Sequence, residues 1–169
     1  RDGRPIYWER TGYIQSRFTE VFEVFTVDEL IQFHISSNES FECRLDYYSK
    51  KFNKQITNTI VVFDMKYLMM TLNIQSIQYI KDMLGIDQAY YPERLYRLFI
   101  INAPWYFSAL FAIFKPFIDK RTADKFIIIG SDFLASLTEY IDLNNIPQEY
   151  GGTMPVSPWS GPFPEESGT

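Results

Sequence analysis

Glu93, Thr122 and Lys125 are the residues of this 169-residue chain whose types and placement could recognise a phosphorylated polyol. Glu93 and Arg94 come just before an apolar run, Arg97 to Ile101, and Lys125 just before another, Phe126 to Ile129. If both runs are strands of one parallel sheet, these side chains lie at the starting ends of the strands, on a single edge. Thr122, one helical turn ahead of Lys125, can present its hydroxyl alongside. A carboxylate accepts hydrogen bonds from ring hydroxyls and an ammonium meets phosphate, so the set suits a phosphorylated ligand rich in hydroxyls. The same spacing is equally served by a plain surface ion pair between Glu93 and Lys125.

Charge supports the first reading without deciding it. The net charge is −5, which argues against nucleic acid as a partner. Yet from Tyr91 to Lys125 six basic residues stand against three acidic ones, interleaved with aromatics. Such an island fits a phosphate headgroup, an anionic membrane surface or an ordinary solvated face. Other chemistries lack their residues. With one Cys (Cys43) and one His (His34) no Cys/His zinc cluster can be assembled, and no disulfide framework exists, which points to a reducing compartment. No glycine spacing matches a dinucleotide fingerprint or a phosphate-binding loop. A Ser-His-Asp triad would have to use His34, which falls on the apolar stripe of a helix and reads as a structural histidine. No enzyme activity and no metal are expected.

The elements that must position these residues follow from pattern. Pro5 to Glu9 reads as a strand after the turn-prone Asp2-Gly3-Arg4. Thr26-Val27-Asp28-Glu29 is a capping box for a helix that carries Leu30, His34, Phe41, Leu45, Tyr48 and Phe52 on one stripe, interrupted by Asn38, and ends near Lys54. Thr59 to Phe63, closed by Asp64, is a buried strand, and Ile74, Ile77 and Leu84 mark a second helix that fades near Gly85. Tyr91-Pro92-Glu93 breaks the chain before the next strand. After Gly130, the residues Phe133, Leu134, Leu137, Tyr140 and Ile141 form a short amphipathic helix. Strands alternating with helices predict an α/β domain with a mainly parallel sheet.

Pro104 to Phe117 is the unusual segment. A proline at a first helical turn is followed by Trp105, Tyr106, Phe107, Ser108, Ala109, Leu110, Phe111, Ala112, Ile113 and Phe114, with no charge before Lys115. A helix apolar on all sides is either a central core helix or a lid that meets something apolar other than protein. The surplus of 15 Phe, 12 Tyr and 3 Trp is compatible with an apolar cavity or simply with an aromatic core. The uncharged run from Leu98 to Phe114 is shorter than the ~20 residues of a spanning helix.

Five segments in order resemble one known family. Asp2-Gly3-Arg4-Pro5-Ile6-Tyr7 looks like the opening of a CRAL-TRIO core. Tyr90 to Leu95, Ile100 to Pro104 and Phe114 to Asp119 are similar to its central signature, and Ile146 to Gly152 to its closing motif. The resemblance implies an α/β CRAL-TRIO fold, with a mixed, mostly parallel sheet flooring a hydrophobic lipid pocket and helices over it. The segment Pro104 to Phe117 would be the gate helix, with Trp105, Tyr106, Phe107, Leu110, Phe111, Phe114 and Phe117 at the gate and pocket. In the Sec-fourteen-type phosphatidylinositol/phosphatidylcholine transfer branch, the glutamate of Pro-Glu-Arg and a Thr-x-x-Lys recognise the inositol phosphate, which implies Glu93, Arg94, Thr122 and Lys125 as the headgroup residues. On the choline side Tyr7 and Thr59 match, but Val61 replaces a hydroxyl residue and Tyr67 stands where the branch has a glycine.

The expected domain is residues 1–152, followed by a Pro/Gly-rich irregular extension over 153–169. The helical subdomain that precedes the core in the family is not in this chain, which opens at Arg1. The expected activity is extraction and exchange of single phospholipids, with phosphatidylinositol as bound ligand rather than a cofactor. Rivals are a non-transferring interaction or membrane-targeting module carrying lipid as filler, and a carrier of a neutral isoprenoid or sterol-like lipid. The expected partners are a phospholipid and, transiently, a membrane surface such as that of Golgi or endosomes, but no nucleic acid. A cytoplasmic monomer is expected.

Overall fold

A computed structural model describes residues 3–70 and 72–154; the extension expected over 153–169 therefore lies almost wholly outside the described residues. Four strands, β1 (Ile6–Glu9), β2 (Thr59–Asp64), β3 (Leu95–Ile101) and β4 (Phe126–Ile128), form one sheet in the order β1-β2-β3-β4. All three pairings are parallel. Each strand starts at the same edge, so the sheet has a starting edge and an exit edge. The connections are α1 (Thr11–Ser16), α2 (Phe18–Val24) and α3 (Val27–Phe52) between the first two strands, then α4 (Ile74–Tyr90), then α5 (Phe107–Phe114) and α6 (Lys120–Ala123). The chain divides into two compact units, Asp2–Ser131 and a second that begins at Asp132, a boundary inside the 1–152 span.

Helix α3 starts where the capping box places it. Thr26 accepts from the Glu29 amide while the Glu29 carboxylate accepts from the Thr26 amide, and the helix ends at Asn53 in the left-handed conformation. Asn38 does not interrupt the packing stripe idly. Its amide donates to Asp87 Oδ1 at 2.9 Å, and His34 Nε2 lies 2.6 Å from the same oxygen, so a polar trio ties α3 to α4. His34 is thus a partly buried structural histidine.

Two expectations need correction, and two helices are added. Helix α4 does not fade at Gly85 but continues to Tyr90, because Asp87 and Gln88 beyond the glycine have fixed partners that offset its cost. Helices α1 and α2 carry no strong period, and nothing in the sequence pattern announced them. The apolar segment does not begin its helix at Pro104. Pro104 to Tyr106 form a turn closed by Phe107 N to Pro104 O at 2.9 Å, α5 starts at Phe107, and Lys115–Phe117 tighten into a 3-10 turn.

The sheet's two faces are not alike. On one, Trp8, Ile60, Val62, Phe99 and Ile101 are buried, and Ile6, Arg97 and Ile127 are half-buried at its margins. In-register neighbours point the same way, so the other face carries Tyr7, Val61 and Leu98, then Phe63, Ile100 and Phe126. There Thr59, Leu98 and Ile100 are buried, and Tyr7, Val61, Phe63 and Phe126 are half-buried.

In the second unit, α7 (Leu134–Thr138) and two 3-10 turns bury Leu137, Ile141, Ile146 and Tyr150. Its closing loop folds tightly: Gly151 has φ +82, and a Cβ on Gly152 would meet the Ile146 carbonyl oxygen at 2.0 Å.

Two glycines make opposite predictions. A Cβ on Gly12 would lie 2.3 Å from the Lys66 carbonyl oxygen and 2.6 Å from Met65 backbone atoms, whereas Gly85, inside α4, has nothing within 4 Å. Gly12→Ala should destabilise by about 2 kcal/mol or more through backbone displacement. Gly85→Ala should stabilise by ~0.5–1 kcal/mol through helix propensity. Urea unfolding midpoints that move the same way in both variants would contradict this packing.

Candidate functional site

The break Tyr91-Pro92-Glu93 ends α4 and turns the chain into β3. Glu93 takes φ +60, a left-handed conformation that costs a non-glycine residue roughly 1–3 kcal/mol and marks places where structure is held for a purpose. On the neighbouring strand's approach, Asp119 caps α6 by accepting from the Thr122 amide, and Lys125 N donates to Thr122 O at 3.0 Å. That turn fixes Thr122 and Lys125 together, and Lys125 Nζ reaches Glu93 Oε2 at 3.1 Å. The parallel sheet therefore brings Glu93 and Lys125 to one edge, as their positions before two strands require.

The contact is weakly held. The Glu93 side chain is 70% exposed and that of Lys125 20%. A pair this open contributes between nothing and about 1 kcal/mol. Thr122 Oγ1 donates to Asp119 Oδ2, and that bond, with the amide bond from Thr122, holds the Asp119 carboxyl below its usual range. Arg94 does not join the group. It turns to α3, where its guanidinium lies 2.6 Å from Glu42 Oε2 and donates to Thr57 O.

The choline-side residues lie on the half-open sheet face. Tyr7 donates to Glu9 Oε2 at 2.8 Å and meets Phe41 edge to face at 5.1 Å. Burial first, and Glu9 second, push its phenol well above the ordinary tyrosine range. Thr59 is buried at the start of β2, and Val61 stands beside Tyr7 in register. Tyr67 has φ +70, so this chain holds a tyrosine in a backbone conformation that favours glycine.

Helix α5 lies over the same face. Phe107 packs with Met65, Leu98 and Ile100, with Val61, Phe63, Phe111 and Phe126 around them. Phe107 stacks on Phe111 at 5.8 Å, and Phe111 meets Phe126 at 5.8 Å. Phe114 is buried and Leu110 partly so, while Ala109, Ala112 and Ile113 face outward. Trp105 and Phe117, at the two ends, are exposed. An open groove of about 410 Å³ beside α3 and α4 is a separate feature, with Asp28, Lys81 and Asp82 in its lining.

Both ends of this segment are tied by side chains that the sequence did not advertise. At its start Tyr106 donates its hydroxyl to the Leu68 carbonyl. At its end Gln88 of α4 donates to Phe117 O at 2.6 Å and accepts from Asp119 N at 3.0 Å, and Lys81 Nζ lies 4.5 Å from the centre of the Phe117 ring. The sequence pattern, which ends α4 near Gly85, could not place Gln88 against the segment's end.

A parallel α/β sheet with one more deeply buried face, one half-open apolar face and a short apolar helix tied over it defines the class. The chain belongs to the CRAL/TRIO domain family, whose model matches residues 1–152. It is 34% identical over 162 residues to the SEC14 cytosolic factor of Eremothecium gossypii, covering 95% of this chain and 52% of that protein. It is 31% identical over 154 residues to the phosphatidylinositol/phosphatidylcholine transfer protein SFH7 of Arabidopsis thaliana, covering 90% of this chain and 28% of that protein. The crystal structure of Sfh5 superposes with a TM-score of 0.73 at 24% identity, covering 92% of this chain and 52% of that one. The chain thus spans about half the length, or less, of these relatives.

Gln88→Ala should loosen the end of the apolar segment alone. Losing one net hydrogen bond of about 1 kcal/mol predicts roughly fivefold faster hydrogen exchange at the Asp119 amide. Amides in the middle of α4 should be unchanged, and equal acceleration there would show that Gln88 supports the helix rather than the segment's end.

Proposed function

We propose that this domain carries one phosphatidylinositol at a time and exchanges it between membranes. The observation that carries the reading is the inequality of the sheet's faces. An apolar floor of Val61, Phe63 and Phe126 is left half-covered beneath α5, with Tyr7 half-buried farther along the same face, and Glu93 and Lys125 stand together at the starting edge of the same sheet. Acyl chains along that floor would bury ~20–30 methylenes at ~0.8 kcal/mol each, close to what they gain in a bilayer. Exchange then needs no chemical energy, only a lowered barrier. A tied apolar helix lowers it by uncovering the floor at a membrane and sheltering the chains away from one.

At the headgroup end, Lys125 meets the phosphate, Glu93 accepts from inositol hydroxyls and Thr122 adds a hydroxyl. The open Glu93–Lys125 pair makes this inexpensive, because a contact worth so little is readily exchanged for ligand contacts. Arg94, engaged with Glu42, is left out of the proposed headgroup set. The proposal is confined to the inositol lipid, because beside Tyr7 the sheet offers the isopropyl group of Val61 and no second hydroxyl. Among the described residues no helix is long and apolar enough to cross a membrane, so the membrane encounter is read as peripheral.

The protein bearing Lys125→Ala should lose phosphatidylinositol transfer between vesicles by roughly tenfold or more, as expected for a charge-assisted contact to phosphate. Thr122→Ala should cost less. If phosphatidylinositol transfer survives while transfer of another lipid falls, the headgroup assignment is wrong. Tightly retained lipid without exchange would instead favour a non-transferring module.

A further inference from the structure

At the exit edge of the sheet two loops present large apolar side chains to solvent and are held there. The loop after β2 exposes Tyr67, Met69 and Met70 at 46%, 49% and 55%, and the turn after β3 exposes Trp105 at 87%. A flexible loop would fold such side chains against the protein, and this one is prevented from doing so. Buried Asp64 accepts from the Lys66 amide at 2.9 Å and from the Asn102 side chain at 2.7 Å, joining the two loops at their roots. Tyr106 donates to Leu68 O, and the Met69 amide donates to the buried Gln15 side chain at 2.8 Å. Tyr67 is kept at φ +70, where a side chain costs conformational energy. The exposure is therefore built into the backbone.

We propose that Tyr67, Met69, Met70 and Trp105 form a fixed docking surface for a phospholipid bilayer. The residue types are those of a membrane interface: Trp and Tyr sit at headgroup level, and flexible Met fills disordered apolar space. Charge agrees. Lys66, exposed and with Nζ 5.0 Å from the Tyr67 ring, is the single charge between Met65 and Leu72, and Leu98 to Phe114 carry none. Two apolar stretches whose one charge is a cation complement an acidic lipid surface. The patch is also continuous with the start of the segment that leads into α5, so docking would set the bilayer beside the helix that covers the apolar floor. The surface deepens the lipid-carrier reading but is tested apart from it.

The measurement is flotation with vesicles of phosphatidylcholine containing phosphatidylserine. Met69→Ser with Met70→Ser should weaken binding roughly tenfold or more, since interfacial binding scales with buried apolar area. Lys66→Gln should weaken binding about fivefold on these vesicles and little on neutral ones. Brominated lipid should quench tryptophan emission in the unaltered protein, and the quenched component should vanish in Trp105→Phe. Phosphatidylinositol uptake from detergent micelles should be unchanged in the double variant, which also verifies its folding. Binding indifferent to the Met69 and Met70 changes, or quenching that persists in Trp105→Phe, overturns the proposal. So does a double variant whose only defect is lost self-association in sedimentation, which would make the patch a contact between copies. Vesicle docking as described without any lipid uptake would instead overturn the carrier function and leave the surface standing.

Discussion

Parallel alignment of the four strands is the constraint on which the remaining features depend. Parallel neighbours cannot be joined by hairpins, so every connection must cross over the sheet and return to the same edge. Whatever precedes a strand therefore collects at one edge and whatever follows a strand at the other. Glu93 and Lys125, 32 residues apart in sequence, meet because each stands just before a strand. Asp64 and Asn102 meet for the converse reason. Strand β3, seven residues long, separates the two ends by about 20 Å at about 3.3 Å per residue. That exceeds the ~15 Å depth of one leaflet of a bilayer's ~30 Å hydrocarbon core. A lipid lying along the floor with its headgroup at the starting edge would thus have room for its chains to run toward the exit edge, where the apolar loops are.

The crossovers also decide how well each sheet face is covered. Helix α5 is only eight residues long, and it covers its face with Phe107, Phe111 and Phe114. An eight-residue helix holds little stability of its own. Its position is set instead by those three rings and by the ties at either end, Tyr106 to Leu68 and Gln88 to Phe117 and Asp119. Local opening of such an element would uncover the Phe107, Phe111 and Phe114 rings and break the end ties, so its cost falls if an apolar partner takes the place of the sheet face. The fully buried strand residues Val62, Phe99 and Ile101 on the opposite face need not take part.

Much of this was legible in the sequence, and the reasons differ by residue. The strands showed as predominantly apolar β-branched and aromatic runs because most of their residues are buried or half-buried on both faces. Helix α3 announced itself through its capping box. The pairing of Glu93 with Lys125 followed from strand starts alone, whereas the role of that pair came from resemblance and stays a proposal. Arg94 lies apart from that pair because its contact with Glu42 depends on where α3 returns, which local pattern does not encode. Gly85 was over-read as a stop because propensity costs about 1 kcal/mol, and the tertiary partners of Asp87 and Gln88 exceed that. Pro104 was taken as a first helical residue, but the Asp64–Asn102 brace and the Tyr106 tie hold Trp105 and Tyr106 in a turn. Gly12 could not have been read at all, since its need for a bare Cα comes from the Lys66 carbonyl, far away in sequence.

The ties around α5 and the open ion pair share one property that a carrier requires. A protein that must both accept and surrender its cargo cannot hold either state by a large margin, because a gap of 5.5 kcal/mol already drives a two-state population from about 1:99 to 99:1. Exposed contacts of roughly 1 kcal/mol each are suited to this, since the water, ligand or lipid that replaces them restores nearly the same free energy. Buried equivalents would not be. A Lys125–Glu93 pair sealed from solvent would cost several kcal/mol to break, and a headgroup would then have to supply that before binding at all. The 70% exposure of Glu93 is therefore part of how such a site would work, and its strained backbone keeps the carboxylate at the edge without using a second strong contact to do so.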